Sequence, residues 1–480
     1  MATSSMSDRR GFVIAGERSG VGKTMITLAL ARALMLQGYS VQCFKVGPDF
    51  IDPGYHAAVT GRLSRNLDER ITSPTYCRNL FYRESRNADI VIVEGVMGLF
   101  DGYGNTSKGS TAQIARLLDL PVILIIDGSS LSQTAGALAL GLQQYDLELK
   151  IAGILFNKVS SKRHYETLRA AVVKTTGIPV LGYIPRAEHW HVPHRHLGLV
   201  MAGEQPDLIG AVERCATDVE QTVALSKITR NAPFKLRQSV SQKQKPKTCN
   251  PNSINVRIGV ARDEAFCFCY QDNIELLERF GGKIVFFSPL HDAKLPESLH
   301  GLYLPGGYPE LYAAQLSANQ KMRRHIRAFC ESGKPVYAEC GGFLYLLRAI
   351  VDYNGKRHAM AGFFPTTARM RSRLQRFGYV TVRALPGCPF LPPHASVRGH
   401  EFHYSDIDPM PNSVTRTLHV RRRTECESYH EGYVLGAVLA GYPHLHFASN
   451  PAFARNFVAA CAQNRGMSFI IRSVVTGKSA

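Results

Sequence analysis

Two short stretches of this chain carry residue types and spacings that do chemistry. One is Gly16-Glu17-Arg18-Ser19-Gly20-Val21-Gly22-Lys23-Thr24; the other is Ala338-Glu339-Cys340-Gly341-Gly342. The first reads as a phosphate cradle, since an apolar run precedes it and a helical pattern follows. Glycines let backbone N–H groups turn inward toward an anion, and the start of the helix adds positive potential. Lys23 is placed for the β- and γ-phosphates of a nucleotide and the Thr24 hydroxyl for Mg²⁺. Gly16, Arg18, Ser19, Gly20, Val21, Gly22, Lys23 and Thr24 are therefore the expected nucleotide-binding residues, with ATP and Mg²⁺ as ligands. Carboxylates for the metal are expected where neighbouring strands end. Asp49 lies in Lys45-Val46-Gly47-Pro48-Asp49-Phe50-Ile51-Asp52, and Glu94 opens Glu94-Gly95-Val96-Met97-Gly98-Leu99-Phe100-Asp101. A single acid in such a place serves equally well as a helix cap or turn former; the pair beside a phosphate loop favours metal. Lys45, Phe50, Asp52 and Asp101 share these segments and are expected to face the substrate.

The second stretch reads as a nucleophile elbow with cysteine as the nucleophile. Val336 to Ala338 runs straight into Cys340, two glycines permit a strained turn, and a helix follows. The helix start is expected to lower the thiol pKa. Upstream, Leu304-Pro305-Gly306-Gly307-Tyr308-Pro309 also leaves a strand end, and the backbone N–H groups of Gly306 and Gly307 are expected to form an oxyanion hole. The base is sought in Gly441-Tyr442-Pro443-His444-Leu445-His446-Phe447, where His444 and His446 would share one face of a strand, so that either could meet Cys340. Cys340 with His444 fits acyl transfer from a glutamine side chain, which releases ammonia. His400, Glu401 and His403 also stand close together, but no fourth metal ligand follows at a useful spacing, and they read as a packed strand and turn.

Around these motifs the apolar runs set the architecture. Phe12 to Ala15, Val41 to Lys45, Ile90 to Glu94, Val122 to Asp127 and Ile151 to Asn157 are apolar on both faces, as strands of a covered parallel sheet are. Thr24 to Gln37 reads as a helix stopped by Gly38. Strands restart at Val256 to Ala261 and recur at Lys283 to Ser288, Gly301 to Leu304 and Pro335 to Ala338, with a helix at Ile274 to Phe280. Both halves are thus α/β. The expected division is 1–225 for the phosphate-loop domain, 226–255 for a basic polar linker and 256–480 for the thiol domain. The linker has seven lysines and arginines and no acid.

At 480 residues the chain is long enough for two cores of this size. No apolar run approaches a membrane span, and the first ten residues are polar without an apolar signal core, so cytoplasm is the expected compartment. The eleven cysteines show no disulfide or zinc spacing. A net charge of +19 would suit a polyanion, yet no nucleic-acid-binding motif accompanies it. The charge could equally be a solvated surface with no specific partner or an attraction for a small polyanionic substrate; neither nucleic acid nor membrane is expected as a partner. An exposed sheet edge would allow a homodimer, though no residue locates one.

Taken together these segments resemble the cobyrinate a,c-diamide synthase family along nearly the whole chain. Phe44 to Pro53, Glu94 to Gly102 and Gly109 to Ala112 are similar to its synthetase half. Leu304 to Tyr312, Ala338 to Gly342, Arg398 to Ser405 and His444 to Phe447 are similar to its glutaminase half. Five residues separate Gly16 from Gly22 where the ordinary phosphate loop has four, which also resembles the dethiobiotin-synthetase type of P-loop domain. The resemblance implies that domain type at the N-terminus and a class I glutamine amidotransferase-like domain at the C-terminus. It implies ATP-dependent phosphorylation of the a and c acetate carboxylates of cobyrinate and displacement of phosphate by ammonia from L-glutamine. Hydrogenobyrinate and nickel sirohydrochlorin are chemically alike alternatives. Class I glutaminases often place an acid two residues after the base; that position holds His446, so no acidic orienter is expected. A partitioning-type P-loop ATPase would carry an extra early lysine, where Glu17 and Arg18 stand, and would leave the thiol domain unexplained.

Overall fold

The computed structural model describes residues 9–104, 106–190, 205, 207–230, 232–234, 256–422 and 428–463, together with the backbone of the strand pair His194–Arg195 and Gly198–Leu199. The chain forms two compact units, Met1–Gln242 and Lys243–Ala480.

In the first unit, seven parallel strands form the body of an eight-stranded sheet. They are β1 (Arg9–Gly16), β2 (Val41–Val46), β3 (Arg65–Leu67), β4 (Ile90–Glu94), β5 (Val122–Asp127), β6 (Ile151–Val159) and β7 (Val180–Pro185). Their order is β3-β2-β4-β1-β5-β6-β7. Alternate side chains enter separate cores: Phe12, Ile14, Ile90 and Ile92 on one face, Val13, Ala15, Val91 and Val93 on the other. This two-sided burial is why the strands are apolar throughout, and each large side chain so buried contributes about 1.5–3 kcal/mol. Helix α1 (Lys23–Leu36) is buried along nearly its whole length between the sheet and the helix Leu208–Thr222. Gly38, with φ 90°, turns the chain out after it. Strands β2 to β4 lie on one side of β1 and β5 to β7 on the other, so the loop leaving β1 stands at the topological switch point where α/β folds bind ligands.

The basic stretch expected to begin a linker at Ser226 is folded at its start. Leu225–Arg230 is helical and buries Leu225, Ile228 and Thr229, and Pro233–Phe234 pairs antiparallel with β1. Residues 235–255 lie outside the described residues.

The second unit contains a ten-stranded mixed sheet. Gly282–Phe287, Val256–Ala261, Gly301–Leu304, Val336–Glu339 and Val438–Gly441 run parallel, and five antiparallel strands continue it to His444–Leu445. Val438–Gly441 and His444–Leu445 are only two residues apart in the chain, yet they stand at opposite ends of a six-strand run. The run therefore curls back on itself. That curl returns His444 to the end of Val336–Glu339, where Cys340 begins the elbow. A four-stranded sheet, including Leu347–Val351 and Phe364–Met370, packs beside it. Among the described residues no helix is long and apolar enough to cross a membrane.

Candidate functional site

The phosphate loop is held from several sides. Gly20 and Gly22 have φ of 76° and 95°, a left-handed conformation that only glycine adopts without strain. A Cβ on Gly22 would also stand 2.5 Å from Asn157 Nδ2, which donates to the Val21 carbonyl at 2.7 Å. Lys23 Nζ lies inside the loop and donates to the Met97 carbonyl at 2.5 Å and the Arg18 carbonyl at 3.4 Å. Burial, with the nearby Lys45 charge, lowers its pKa to about 8. The Leu99 N–H donates to the Gly16 carbonyl at 2.7 Å, tying the segment after β4 to the loop. The first-turn N–H groups of α1 have no intrahelical acceptors and form the anion-facing end. Arg18 reaches sideways to Asp127 Oδ2 at 2.8 Å, and Lys158 meets the same oxygen at 2.9 Å.

Beside this loop lies a buried charge cluster. Glu94 Oε1 accepts from the Thr24 hydroxyl at 2.8 Å and from Lys45 Nζ at 2.9 Å, while Oε2 is bonded to His56 Nε2 at 2.7 Å. Lys45 Nζ also pairs with Asp52 Oδ2 at 2.5 Å. Burial opposes the charge on Glu94, but Lys45 and His56 overrule it and hold the carboxyl well below the usual range. Burial also opposes the Lys45 charge, and Asp52 and Glu94 nevertheless keep it protonated. Asp52 is lifted by burial, with Asp49 and Glu94 adding repulsion. Lys45 and Asp52 are therefore not open to a substrate as expected from sequence; each is buried and engaged with the other. Asp49 is half-buried, and its Oδ1 caps α2 (Asp52–Thr60) by accepting from the Ile51 and Asp52 N–H groups at 2.8 and 3.1 Å. Its Oδ2 stands 3.9 Å from Lys45 Nζ. Asp101 is exposed and accepts from the Gly98 N–H at 2.8 Å, closing a turn, and Phe50 is half-buried at the start of the α2 turn. Among the described residues no group of three or more His, Cys, Asp or Glu side chains is arranged to hold a metal by itself.

In the second unit Cys340 has φ 47° and ψ −107°, the strained backbone of a nucleophile elbow. Its N–H donates to the Gly441 carbonyl at 2.8 Å, fixing the turn to the adjacent strand. Gly306 lies against it: a Cβ there would stand 3.3 Å from Cys340 Cβ, 2.2 Å from His444 Cε1 and 2.9 Å from His444 Nδ1. Nucleophile and imidazole thus flank the same small space above Gly306. Gly307 approaches Gly341 as closely, since a Cβ on Gly341 would meet the Gly307 nitrogen at 2.9 Å. A Cβ on Gly307 itself would fall 2.0 Å from the Ala265 carbonyl oxygen, so only glycine fits there. The thiol is not activated at rest as the helix argument expected. Burial above all, with the charges of Glu310 and Glu339, pushes it above the ordinary thiol range, and the Gly341 N–H at the start of the following helix opposes this only in part. Burial also drives His444 well below its ordinary value, with His400 and His403 adding to it. The resting pair is neutral thiol and neutral imidazole.

The second histidine has different ring partners from the first. His446 is still extended and precedes the turn Phe447–Ser449; its Nδ1 accepts from the Ala448 N–H at 3.3 Å, and its ring lies tilted against Tyr270 with centroids 4.5 Å apart. His400 stacks on His444 at 5.0 Å between ring centroids, and His403 stacks on Tyr442 at 3.8 Å. Sequence reasoning missed Glu339, Asn273, Asn157, Asp127 and His56. Glu339 alone carried a local signal, since it directly precedes the cysteine.

A nucleotide-binding unit and a thiol unit of this form define a glutamine-dependent ligase, and comparison with known proteins agrees. Residues 12–199 match the CobQ/CobB/MinD/ParA nucleotide binding domain, and residues 257–452 match the CobB/CobQ-like glutamine amidotransferase domain. The chain is 41% identical over 450 residues to the cobyrinate a,c-diamide synthase of Salmonella typhimurium, covering 94% of this chain and 97% of that protein. It is 40% identical to the enzymes of that name from Dehalococcoides mccartyi and Archaeoglobus fulgidus, covering 93% of this chain in each case and 97% and 96% of theirs. The chain belongs to the cobyrinate a,c-diamide synthase family. It is an ATP-using carbon–nitrogen ligase with glutamine as amide donor.

Proposed function

We propose that this enzyme converts the a and c acetate carboxylates of cobyrinate to carboxamides through acyl phosphates, using ammonia made at a Cys340–His444 dyad. The observation that carries the glutaminase half is the shared space above Gly306, bounded by Cys340 on one side and His444 on the other. The macrocycle comes from the relatives, which bear that substrate in their names.

At the thiol site, Cys340 attacks the glutamine amide carbon while His444 takes the thiol proton and passes it to the departing ammonia. Coupling the two events removes the need for a standing thiolate, consistent with two neutral resting groups. The backbone N–H groups of Gly306 and Gly307, with that of Gly341 after the nucleophile, would receive the oxyanion; the close approach of Gly307 to Gly341 supports this reading. Water then releases glutamate from the thioester. At the phosphate loop, Lys23 leaves the Met97 carbonyl to meet the β- and γ-phosphates. The γ-phosphoryl group moves to a substrate carboxylate oxygen, ADP departs, and ammonia attacks the acyl carbon and expels phosphate. The Thr24 hydroxyl and the Glu94 carboxylate, 2.8 Å apart, are hard oxygen donors that fit Mg²⁺, which binds through few protein ligands plus phosphates, and Asp49 would be the further carboxylate for it. When bound there it would supply charge neutralisation at the phosphates.

Incubation with ATP, glutamine and, separately, cobyrinate, hydrogenobyrinate and nickel sirohydrochlorin tests the substrate, with mass spectrometry of the products. Two amidations of cobyrinate are expected at the highest kcat/KM. Preference for either other macrocycle would replace cobyrinate in this reading.

A further inference from the structure

His444 lacks the acid that often follows the base of such glutaminases, since position 446 is histidine. The structure holds the base by another route. His444–Leu445 is the terminal strand of its sheet, pairing with Ser396–His403 in the register His400 to His444. The His446 N–H continues that ladder to the Arg398 carbonyl at 3.1 Å. In an antiparallel ladder alternate residues face the partner strand, so the N–H and C=O of Leu445 point the other way. Two buried side chains meet them there. Glu339 Oε2 accepts from the Leu445 N–H at 3.2 Å, and Asn273 Nδ2 donates to the Leu445 carbonyl at 2.8 Å. Asn273 Oδ1 also accepts from the Phe447 N–H at 2.8 Å.

Glu339 is the residue immediately before the nucleophile, and its carboxylate is nearly inaccessible. Oε1 accepts from the Tyr303 hydroxyl and Oε2 from the Tyr337 hydroxyl, each at 2.7 Å. Two tyrosines on neighbouring parallel strands thus aim its head at the base strand. Burying an acid is costly when its only return is to fasten two hydroxyls that neighbouring backbone could satisfy. Its third donor is the feature that stands out: the peptide N–H next to His444. We infer that Glu339 is the positioning residue of this glutaminase, binding the strand that ends in Cys340 to the strand that carries His444. Nucleophile and base are thereby set by one rigid unit, through the backbone rather than through the imidazole ring. What the role requires of residue 339 is a hydrogen-bond acceptor at full side-chain length. Formal charge is not needed.

The inference rests on the assignment of Cys340 and His444, so the test must separate the two. Glutamine hydrolysis, ammonia-driven amidation and alkylation of Cys340 by iodoacetamide are measured for the full chain and for Glu339→Gln, Glu339→Asp and Cys340→Ala. Glu339→Gln keeps an acceptor at the same reach and should retain kcat for glutamine within about threefold. Glu339→Asp keeps the charge but withdraws the acceptor by one methylene, and a displacement of that order should lower kcat by about 10²-fold. Its KM for glutamine should stay near that of the parent, which a general loss of packing would not allow, and alkylation of Cys340 should slow along with turnover because it needs the same base. Ammonia-driven amidation reports separately on the synthetase unit. Equal loss in both Glu339 variants, or full glutaminase activity in Glu339→Asp, overturns the positioning role. Glutaminase activity in Cys340→Ala would instead overturn the dyad itself.

Discussion

Replacing Gly306 by alanine should separate the two activities of this enzyme, and the structure sets the size of the effect. Gly306 is not among the glycines with left-handed φ, so alanine is acceptable to the backbone. Its methyl group, however, would stand 2.2 Å from His444 Cε1 and 3.3 Å from Cys340 Cβ. Carbon atoms in contact lie about 3.5–4.0 Å apart, so the imidazole must retreat by more than about 1 Å. Misplacement on that scale costs about 10²-fold in rate. Gly306→Ala should therefore lower kcat for glutamine hydrolysis by about 10²-fold or more, while amidation driven by added ammonium salt continues at the parent rate. The strain of the extra methyl is worth about 1–3 kcal/mol, so the second unit should still fold, with a melting point a few degrees lower. The two assays are glutamate release from glutamine and ADP release with ammonium salt. A Gly306→Ala enzyme that hydrolyses glutamine at the parent rate would refute the placement of the base beside the nucleophile.

Lys23→Ala should silence amidation from glutamine and from ammonia alike, because both depend on the same phosphoryl transfer; retained synthesis would contradict the phosphate role. Lys23 also makes ATP binding pH-dependent. Burial and the Lys45 charge bring its pKa to about 8, and contact with phosphate raises it, so the charged form is the one that binds. Affinity should be flat below about pH 8 and fall by up to about tenfold per unit above it, with proton uptake visible by calorimetry in buffers of different ionisation enthalpy. No uptake at about pH 9 would contradict this linkage. Glu94→Gln should weaken ATP-dependent turnover strongly and destabilise the first unit by about 3–5 kcal/mol, since it removes the anion that Lys45 and His56 both face. A parent-like melting point would show that the cluster is not held by that charge. With a net charge of +19, the KM for a macrocyclic polycarboxylate should rise with ionic strength, and a flat profile would exclude electrostatic steering.

Much of the architecture was legible because it depends on local pattern. The all-apolar strands β1, β4 and β5 reveal a sheet covered on both faces, and glycines at 20 and 22 mark a turn that needs left-handed backbone. The elbow at Cys340 was legible for the same reason. What stayed hidden depends on pairing between distant segments. Lys45 and Asp52 looked like substrate contacts because charges at strand ends usually face solvent. Here Glu94, 49 residues from Lys45, completes a buried cluster that takes them out of reach. Asp49 takes the turn-forming role with one oxygen, which caps α2, while its other oxygen is turned toward Lys45. The strand alternation placed His444 and His446 on one face, where both meet the same cluster, but spacing alone did not say that His444 would lie on His400 and His446 against Tyr270. Basic composition suggested a linker from Ser226, whereas Leu225 and Ile228, three apart, suffice to seat one short helix in the core. Glu339 was passed over because an orienting acid was sought beside the histidine, not beside the cysteine.

The central claim is that one chain makes ammonia at Cys340 and spends it on an ATP-activated carboxylate. It is tested most directly by supplying ATP, cobyrinate and glutamine carrying heavy nitrogen in its amide, with mass spectrometry of the product. Full-length enzyme should place heavy nitrogen at two carboxamides, and Cys340→Ala should place none while still amidating with heavy ammonium salt. Product without label from the parent enzyme, or labelled product from Cys340→Ala, would contradict the account.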